Sequence, residues 1–292
     1  MKAPIEPSKE DCCNNGCHPC IFDVYEKQLK LYEKYKNNND GNSKTTFNGI
    51  SQYEYTSFIV TETEYLCHLH KLLKFKRNKT GHKVWYNPGQ HFFILYKSGN
   101  KKHSCAYTPL KLSHQDQDDF DFSIIVKQYN AGLVSNYLFN LMKGDITLWR
   151  GPFGEFELTP SKFDNIVMIA QGTGVIPFIS IIDKILKNED DMTKILLYYC
   201  CQSQETILFR EEMYSFRAFW NFSYKIYISS STGVKLKYEE PIIKRKMELE
   251  DIDLSKSHSN IQYLLCGSKD FMSQYKTLLS LHGISFENII LY

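Results

Sequence analysis

From Asn165 to Tyr292 the sequence alternates short apolar runs with longer stretches of helical spacing, and that alternation leaves few folds open. Strands are expected at Ile166–Ala170, Ile195–Tyr199, Tyr224–Ile228, Tyr263–Cys266 and Ile289–Tyr292. Helices are expected at Ile176–Leu186, around Arg210–Phe219 and at Phe271–His282. Such a series builds a parallel sheet wrapped by helices, with ligands at the carboxyl ends of its strands. The first strand runs into Gln171-Gly172-Thr173-Gly174-Val175-Ile176-Pro177 and then a helix. Glycines there let a cofactor approach the backbone, and a helix start offers free N–H groups to an anion. A Gly-x-Gly turn also serves simply to pack helix on strand, so it does not decide the matter alone.

Upstream the pattern is different. From about Thr46 to Leu158 short runs rich in β-branched and aromatic residues follow one another without long helices: Ser57–Thr63, Tyr65–Lys71, His91–Tyr96, Phe122–Gln128 and Thr147–Arg150. This spacing reads as a small antiparallel barrel. Residues 1–40 hold a cysteine-rich head, then Phe22, Tyr25, Leu29 and Tyr32 at helical spacing, then the polar, turn-rich run Lys36-Asn-Asn-Asn-Asp-Gly-Asn-Ser-Lys. The expected organisation is therefore an N-terminal module and linker over 1–40, a barrel over 41–160 and an α/β domain over 161–292.

Size and charge agree with this division. The 292 residues, 42% of them hydrophobic, suffice for two ordinary cores. A formal charge of +2, from 35 basic and 33 acidic residues, gives no global field toward nucleic acid or an anionic membrane. The longest apolar runs fall well short of the ~20 residues that span a bilayer, and the start Met1-Lys-Ala-Pro lacks a signal peptide's apolar core. The expectation is an intracellular protein, cytoplasmic or peripherally membrane-associated, with no transmembrane segment and no nucleic-acid partner.

Four motifs recur in a recognisable order: Tyr107-Thr108-Pro109-Leu110; Gly144-Asp145, then Arg150-Gly151-Pro152-Phe153-Gly154; Gly172-Thr173-Gly174 with Pro177; and Cys266-Gly267. Pro88-Gly89-Gln90-His91, Lys127 and Tyr129, Gly132 to Leu138, and Gln202-Ser203 followed by Ile207-Leu208-Phe209-Arg210 extend the set. Over roughly residues 50–292 it resembles the ferredoxin-reductase superfamily, and within it the NADH-cytochrome b5 reductases.

The resemblance implies an antiparallel Greek-key barrel binding FAD and a parallel-sheet domain binding the nicotinamide nucleotide, with the reactive rings meeting between the two. It implies a flavoprotein reductase that takes hydride from NADH, with NADPH as second candidate, and passes single electrons to a haem protein such as cytochrome b5. Tyr107, Thr108, Pro109, Lys127, Tyr129, Gly132, Val134 and Ser135 would bind FAD. Gly172, Thr173, Gly174, Gln202, Cys266 and Gly267 would bind the nicotinamide nucleotide, and Thr108 and Cys266 would stand at the reacting atoms. Three positions depart from the family pattern. Cys105 replaces an arginine that clamps the FAD pyrophosphate, Leu133 replaces a basic residue and Ile176 a threonine, so fewer polar contacts to the ligands are expected. After Tyr224–Ile228, Ser229-Ser230-Ser231-Thr232 stands where NADH-specific members carry an acid, with Lys235 and Lys237 following.

The segment Asp11-Cys12-Cys13-Asn-Asn-Gly16-Cys17-His18-Pro19-Cys20 resembles the short oxidoreductase-like module found ahead of such reductases. Thiolates at this spacing can converge on one metal ion, so Cys12, Cys13, Cys17 and Cys20 are candidate ligands; a redox pair or packing thiols compete with that reading. The alternative for the whole chain is a noncatalytic nucleotide-binding or metal-binding adaptor on a degenerate reductase fold. Lys71, Lys74, Lys76 and Arg77 are candidates, by charge alone, for docking an acidic haem protein.

Overall fold

Alternating apolar side chains on six strands fold inward around an aromatic hub, and this hub is the centre of the first unit. The computed structural model describes residues 3–12, 20–37, 48–79, 81–115, 118–154, 156–230, 235–254 and 260–292. The chain divides into two compact units, Met1–Phe156 and Glu157–Tyr292.

In the first unit, helix α1 (Ile21–Asn37) precedes β1 (Thr56–Cys67), β2 (His70–Arg77), β3 (His91–Ser98), β4 (Lys101–Tyr107) and β5 (Phe122–Lys127). Helix α2 (Leu133–Phe139) and strand β6 (Ile146–Phe153) complete it. The antiparallel sheet has the order β4-β3-β6-β1-β2-β5. Beyond β4, Leu110 pairs with Ser123 on β5 through reciprocal backbone bonds of 2.8 Å, which joins the two edges into the expected barrel. Phe122 is the hub: the rings of Phe58, Phe75, Phe92 and Trp149 lie 5.0–5.5 Å from it. The Phe75 ring stacks on it and the other three meet it edge-to-face, packing that adds to plain area burial.

Two strands differ from the expectation. The strands expected at Ser57–Thr63 and Tyr65–Lys71 are divided at His68-Leu69 instead, because β1 continues through two register shifts to Cys67. β2 then carries Leu73 and Phe75 into the core, with Lys74 and Lys76 on the opposite face. Strand β4, basic at its start, was not expected at all; its pairing with β3, from Ser98↔Lys101 to Phe92↔Tyr107, overrides its composition.

Strand β3 is buried on both faces. Phe92 and Ile94 point into the barrel, while Phe93 meets Phe153 of β6 on the outside and is covered by Ile21 and Val24 of α1. The helix expected from Phe22 to Tyr35 thus belongs to the first unit as a cap on the barrel's outer face.

The second unit contains β7 (Asn165–Gln171), α3 (Ile176–Leu186), β8 (Lys194–Cys201), α4 (Arg210–Phe216), β9 (Phe222–Ile228) and β10 (Ile242–Ile243). Then come β11 (Ile261–Cys266), α5 (Lys269–Leu281) and β12 (Ile289–Leu291). All pairings are parallel, in the order β10-β9-β8-β7-β11-β12. Strand order runs one way from β7 to β10 and the other way through β11 and β12. The crevice between the ends of β7 and β11 is therefore the topological switch point, where open α/β sheets bind ligands.

Candidate active site

At that switch point two glycine turns are pressed together. A β-carbon on Gly174 would lie 2.3 Å from the Cys266 carbonyl oxygen, and one on Gly267 would lie 2.8 Å from the Gln171 β-carbon. Any larger residue would force the turns apart. Gly172 differs, with a left-handed φ of 56° and no protein atom within 4 Å of where its β-carbon would be, so its Cα faces open space. Gln171 ties the turns together: its Oε1 accepts hydrogen bonds from Ser268 N at 3.2 Å and Ser268 Oγ at 2.8 Å. Ser268 Oγ in turn accepts from Phe271 N at 3.3 Å and caps α5.

Three side chains at this site are informative about chemistry. Burial pushes the Cys266 thiol up to about 12, so it is neutral at physiological pH and is neither a ready base nor a thiolate nucleophile. Tyr292 donates its backbone N–H to Leu265 O at 2.9 Å and sets its ring edge-on to Phe178 at 5.5 Å. Its phenol is pushed well up by burial and then by Cys266. Gln202, whose side chain is exposed just past β8, accepts from Ser230 N at 2.8 Å through its backbone carbonyl, which fixes the start of the loop after β9. Sequence reasoning singled out Gly172, Thr173, Gly174, Gln202, Cys266 and Gly267, and the fold brings them to the carboxyl ends of β7, β8 and β11. It missed Gln171, Ser268 and Tyr292; of these, only Ser268 carried a signal, as a helix cap directly after Cys-Gly.

The loop after β9 is tied by ion pairs. Arg210 donates Nε to Glu240 Oε1 at 2.6 Å and Nη2 to Glu240 Oε2 at 2.5 Å, while Lys237 N donates to the same carboxylate at 3.0 Å. Lys237 Nζ pairs with Glu211 and lies over the Tyr214 ring, so this lysine, one of the two that follow the Ser229–Thr232 run, already has an anion. Ser231 and Thr232 of that run lie outside the described residues.

In the first unit, Tyr107, Thr108 and Pro109 span the barrel seam between β4 and the Leu110–Ser123 bridge. Tyr107 is half-buried, edge-on to Trp149 at 6.2 Å. On the far side of the seam Lys127 ends β5 with its ammonium 5.4 Å from the exposed Tyr129 ring. Gly132 opens α2, and a β-carbon there would meet Ser135 Oγ at 2.3 Å. Ser135 is buried, donating its hydroxyl to Gly132 O at 3.1 Å and accepting from Tyr129 N at 3.4 Å. Its hydroxyl organises the turn, and Val134 is a core residue by its side chain. Beside this turn lies a groove of about 610 Å³, lined among others by Tyr96, Asn130, Gly132, Asn136 and Tyr137. Tyr96 and Tyr137 stack at 4.5 Å to form one wall. Cys105 is packed into the barrel core, so the position of the family's arginine is apolar here.

One expectation needs correction. Lys71 is buried and donates to Phe139 O and Leu141 O at 2.9 and 2.7 Å, completing the end of α2. Lys74 pairs with Glu62 at 3.0 Å and Lys76 with Asp119 at 2.6 Å, so these lysines are not a free basic docking face. Of the four candidate metal ligands, Cys13 and Cys17 lie outside the described residues, while Cys12 and Cys20 bring their sulfurs to 3.5 Å. Among the described residues no three metal-ligating side chains converge, and no helix is long and apolar enough to cross a membrane.

Comparison with known proteins accords with this geometry. Residues 57–158 match the model of the oxidoreductase FAD-binding domain, residues 168–277 that of the oxidoreductase NAD-binding domain, and residues 2–40 that of an oxidoreductase-like N-terminal region. The cytochrome b5 reductase domain of Ulva prolifera nitrate reductase shares the fold, with a TM-score of 0.67 and 21% identity over 84% of this chain and all of that one. The CS-b5R domains of human Ncb5or do so with a TM-score of 0.68 and 18% identity, over 82% and 69% of the two chains. Fold and site thus define an FAD- and NAD-binding oxidoreductase of ferredoxin-reductase architecture, and a noncatalytic adaptor is not favoured. A mouse NADH-cytochrome b5 reductase-like protein is 30% identical over 227 residues, covering 75% of this chain and 71% of the relative. Its human counterpart is 26% identical, covering 99% and 94%. The chain belongs to the NADH-cytochrome b5 reductase-like family.

Proposed function

We propose that the protein takes hydride from NADH onto FAD and delivers electrons singly to a haem protein, with cytochrome b5 as the acceptor class. The observation that carries this reading is the pairing of Gly174 with Cys266 at the switch point, in a chain whose barrel also presents Tyr107-Thr108-Pro109 at its seam. FAD, when bound, supplies the link between two-electron and one-electron chemistry; the protein supplies orientation and electrostatics.

The residues present suit both ligands. The groove beside α2, the glycine at its start and the open face of Gly172 leave room for extended nucleotides against backbone N–H groups. On the FAD side, the Tyr107 ring would pack beside the flavin, and the Thr108 hydroxyl would hydrogen-bond its edge at the reacting atoms, with Pro109 holding the turn. Lys127 would place a positive charge near the cofactor, with Tyr129 beneath it. Gly132, Val134 and Ser135 would offer backbone N–H groups to the phosphates. On the nicotinamide side, Gly172, Thr173, Gly174 and Gly267 would form the floor, and Gln202 would hold the neighbouring loop. Cys266 would stand at the hydride-donating carbon as a small neutral group without an acid–base role. The pairing of Lys237 with Glu211 supports NADH over NADPH, since it lowers the positive charge near a 2′-phosphate.

The test is to record the absorption spectrum of the purified full-length chain with FAD supplied, then add NADH and NADPH separately without oxygen. Bleaching of the flavin bands, faster with NADH, is the expected result. A chain that binds no flavin, or whose bound flavin neither nucleotide bleaches, would overturn the proposal.

A further inference from the structure

Gln171 closes strand β7 as its one exposed residue, and its side chain crosses to the neighbouring turn. It runs over Gly267: a β-carbon there would lie 2.8 Å from the Gln171 β-carbon and 3.4 Å from its Oε1. Beyond Gly267 the amide oxygen meets Ser268 N at 3.2 Å and Ser268 Oγ at 2.8 Å. The strands beneath are in register, with Ala170 opposite Cys266, so Gln171 stands at the lip of the crevice between β7 and β11.

Ser268 decides which way the amide faces. A backbone N–H can only donate, so the atom it meets must be the amide oxygen; a flipped amide would set two donors face to face. The Ser268 hydroxyl adds a second donor to the same oxygen, and it is held in turn by accepting from Phe271 N. Oε1 is thus turned toward the β11 side. Nε2 is left on the amide's other edge, exposed, with two N–H donors and no hydrogen-bond partner among the described residues. The next residue in the chain is Gly172, whose Cα faces open space.

We infer that Gln171 binds the nicotinamide half of the nucleotide, its Nε2 donating to an acceptor oxygen of that half, and that Ser268 is the residue that positions it. The inference rests on the reading that this crevice takes a nicotinamide nucleotide. The carboxamide and the ribose of that half both carry acceptor oxygens, and a neutral amide suits them where a charged donor would favour phosphate. The choice of half follows from the register: Gln171 adjoins the Ala170–Cys266 pair, and Cys266 is the residue proposed to stand at the hydride-donating carbon. Because two bonds fix the amide before any ligand arrives, little side-chain freedom is lost on binding.

The experiment uses the full-length chain with FAD supplied and measures, by titration calorimetry, the Kd of two probes. One is a tetrahydro analogue of NADH that cannot donate hydride; the other is ADP, which lacks the nicotinamide half. Gln171→Ala removes the donor without adding charge, and Gln171→Glu removes it while leaving a carboxylate oxygen to accept both bonds from Ser268. The analogue should bind about tenfold more weakly to each variant, while ADP binds Gln171→Ala within about twofold of the parent. Ser268→Ala should weaken the analogue about threefold in the parent and no further in Gln171→Ala, because Ser268 acts through that amide. Equal affinity of parent and Gln171→Ala for the analogue would overturn the inference. So would parallel losses for the analogue and ADP, which would make Gln171 only a shaper of the turn. A parent that binds neither probe would overturn the nucleotide reading itself, and the inference with it.

Discussion

Gly174 lies against Cys266 so closely that a methyl group on its Cα would sit 2.3 Å from a backbone carbonyl oxygen and 3.0 Å from the Gly267 nitrogen. Backbone cannot rotate aside as a side chain can, so Gly174→Ala must push β7's turn away from β11. We expect a stability loss of about 1–3 kcal/mol in urea unfolding, together with weakened NADH binding. Gly172→Ala meets no atom and should cost about 1–2 kcal/mol, from its left-handed backbone alone. Equal stability of parent and Gly174→Ala would mean that the two turns are looser than described.

The Glu240 carboxylate is wholly buried and accepts both forks of Arg210. Burial by itself would raise its pKa, but the hydrogen bonds from Arg210 and the Lys237 N–H outweigh burial and hold it below the usual carboxylate range. A depressed carboxylate stabilises the fold above its unfolded pKa, and the contribution is lost as pH falls through the folded value. Glu240→Gln should therefore cost about 3 kcal/mol at pH 7, with a smaller difference from the parent at pH 3. A gap that stays constant with pH would argue against the ion pair.

His91 and His70 of the barrel unit both have imidazoles pushed down to about 4. Burial is the main cause for each, followed by Lys27 for His91 and by Lys127 and His68 for His70. Their unfolded counterparts titrate near 6.5, so between pH 6.5 and 4 the unfolded chain takes up protons that the native one refuses. Barrel stability should fall steadily from pH 7 to pH 5, a window above most carboxylate titration, and His70→Gln with His91→Gln should flatten the slope. Chemical denaturation at three pH values is sufficient; a slope that the double variant leaves unchanged would reject the assignment.

At the proposed flavin site, Thr108→Val keeps the shape of the seam and removes one hydroxyl. The rate of FAD reduction by NADH in stopped-flow should drop by about tenfold while FAD content is retained. Cys266→Ala should change that rate by less than about tenfold, because a thiol held protonated at pH 7 has no basic form to accept a proton and gives up its own only reluctantly. A collapse of the rate in Cys266→Ala alone would assign that thiol a chemical role.

Much of this architecture was legible along the chain. The run Ile166–Ala170 followed by Gly172-Thr173-Gly174 reads as a buried strand turning into a helix, and five expected strands interleaved with three expected helices made a parallel sheet the natural outcome. The helix at α1 was equally visible in the spacing of Phe22, Tyr25, Leu29 and Tyr32. Strand β4 was not, since Lys101-Lys102-His103 has the composition of a turn and becomes a strand only because β3 offers it seven paired positions. The lysines of β2 misled for the same reason: charge is visible in sequence, but the carboxylates and carbonyls that meet it come from β1, the Asp119 loop and α2.

Local order thus lay in the sequence by itself: which segments are mostly strand or helix, and where glycine must stand. These follow from periodicity and backbone sterics, which act over a few residues. Only the tertiary structure decided which distant groups meet. Gln171 holding Ser268, Arg210 gripping Glu240, Tyr292 set against Phe178 and Cys12 drawn to Cys20 all depend on strand order and on the face each side chain takes, and no pattern confined to one segment encodes them.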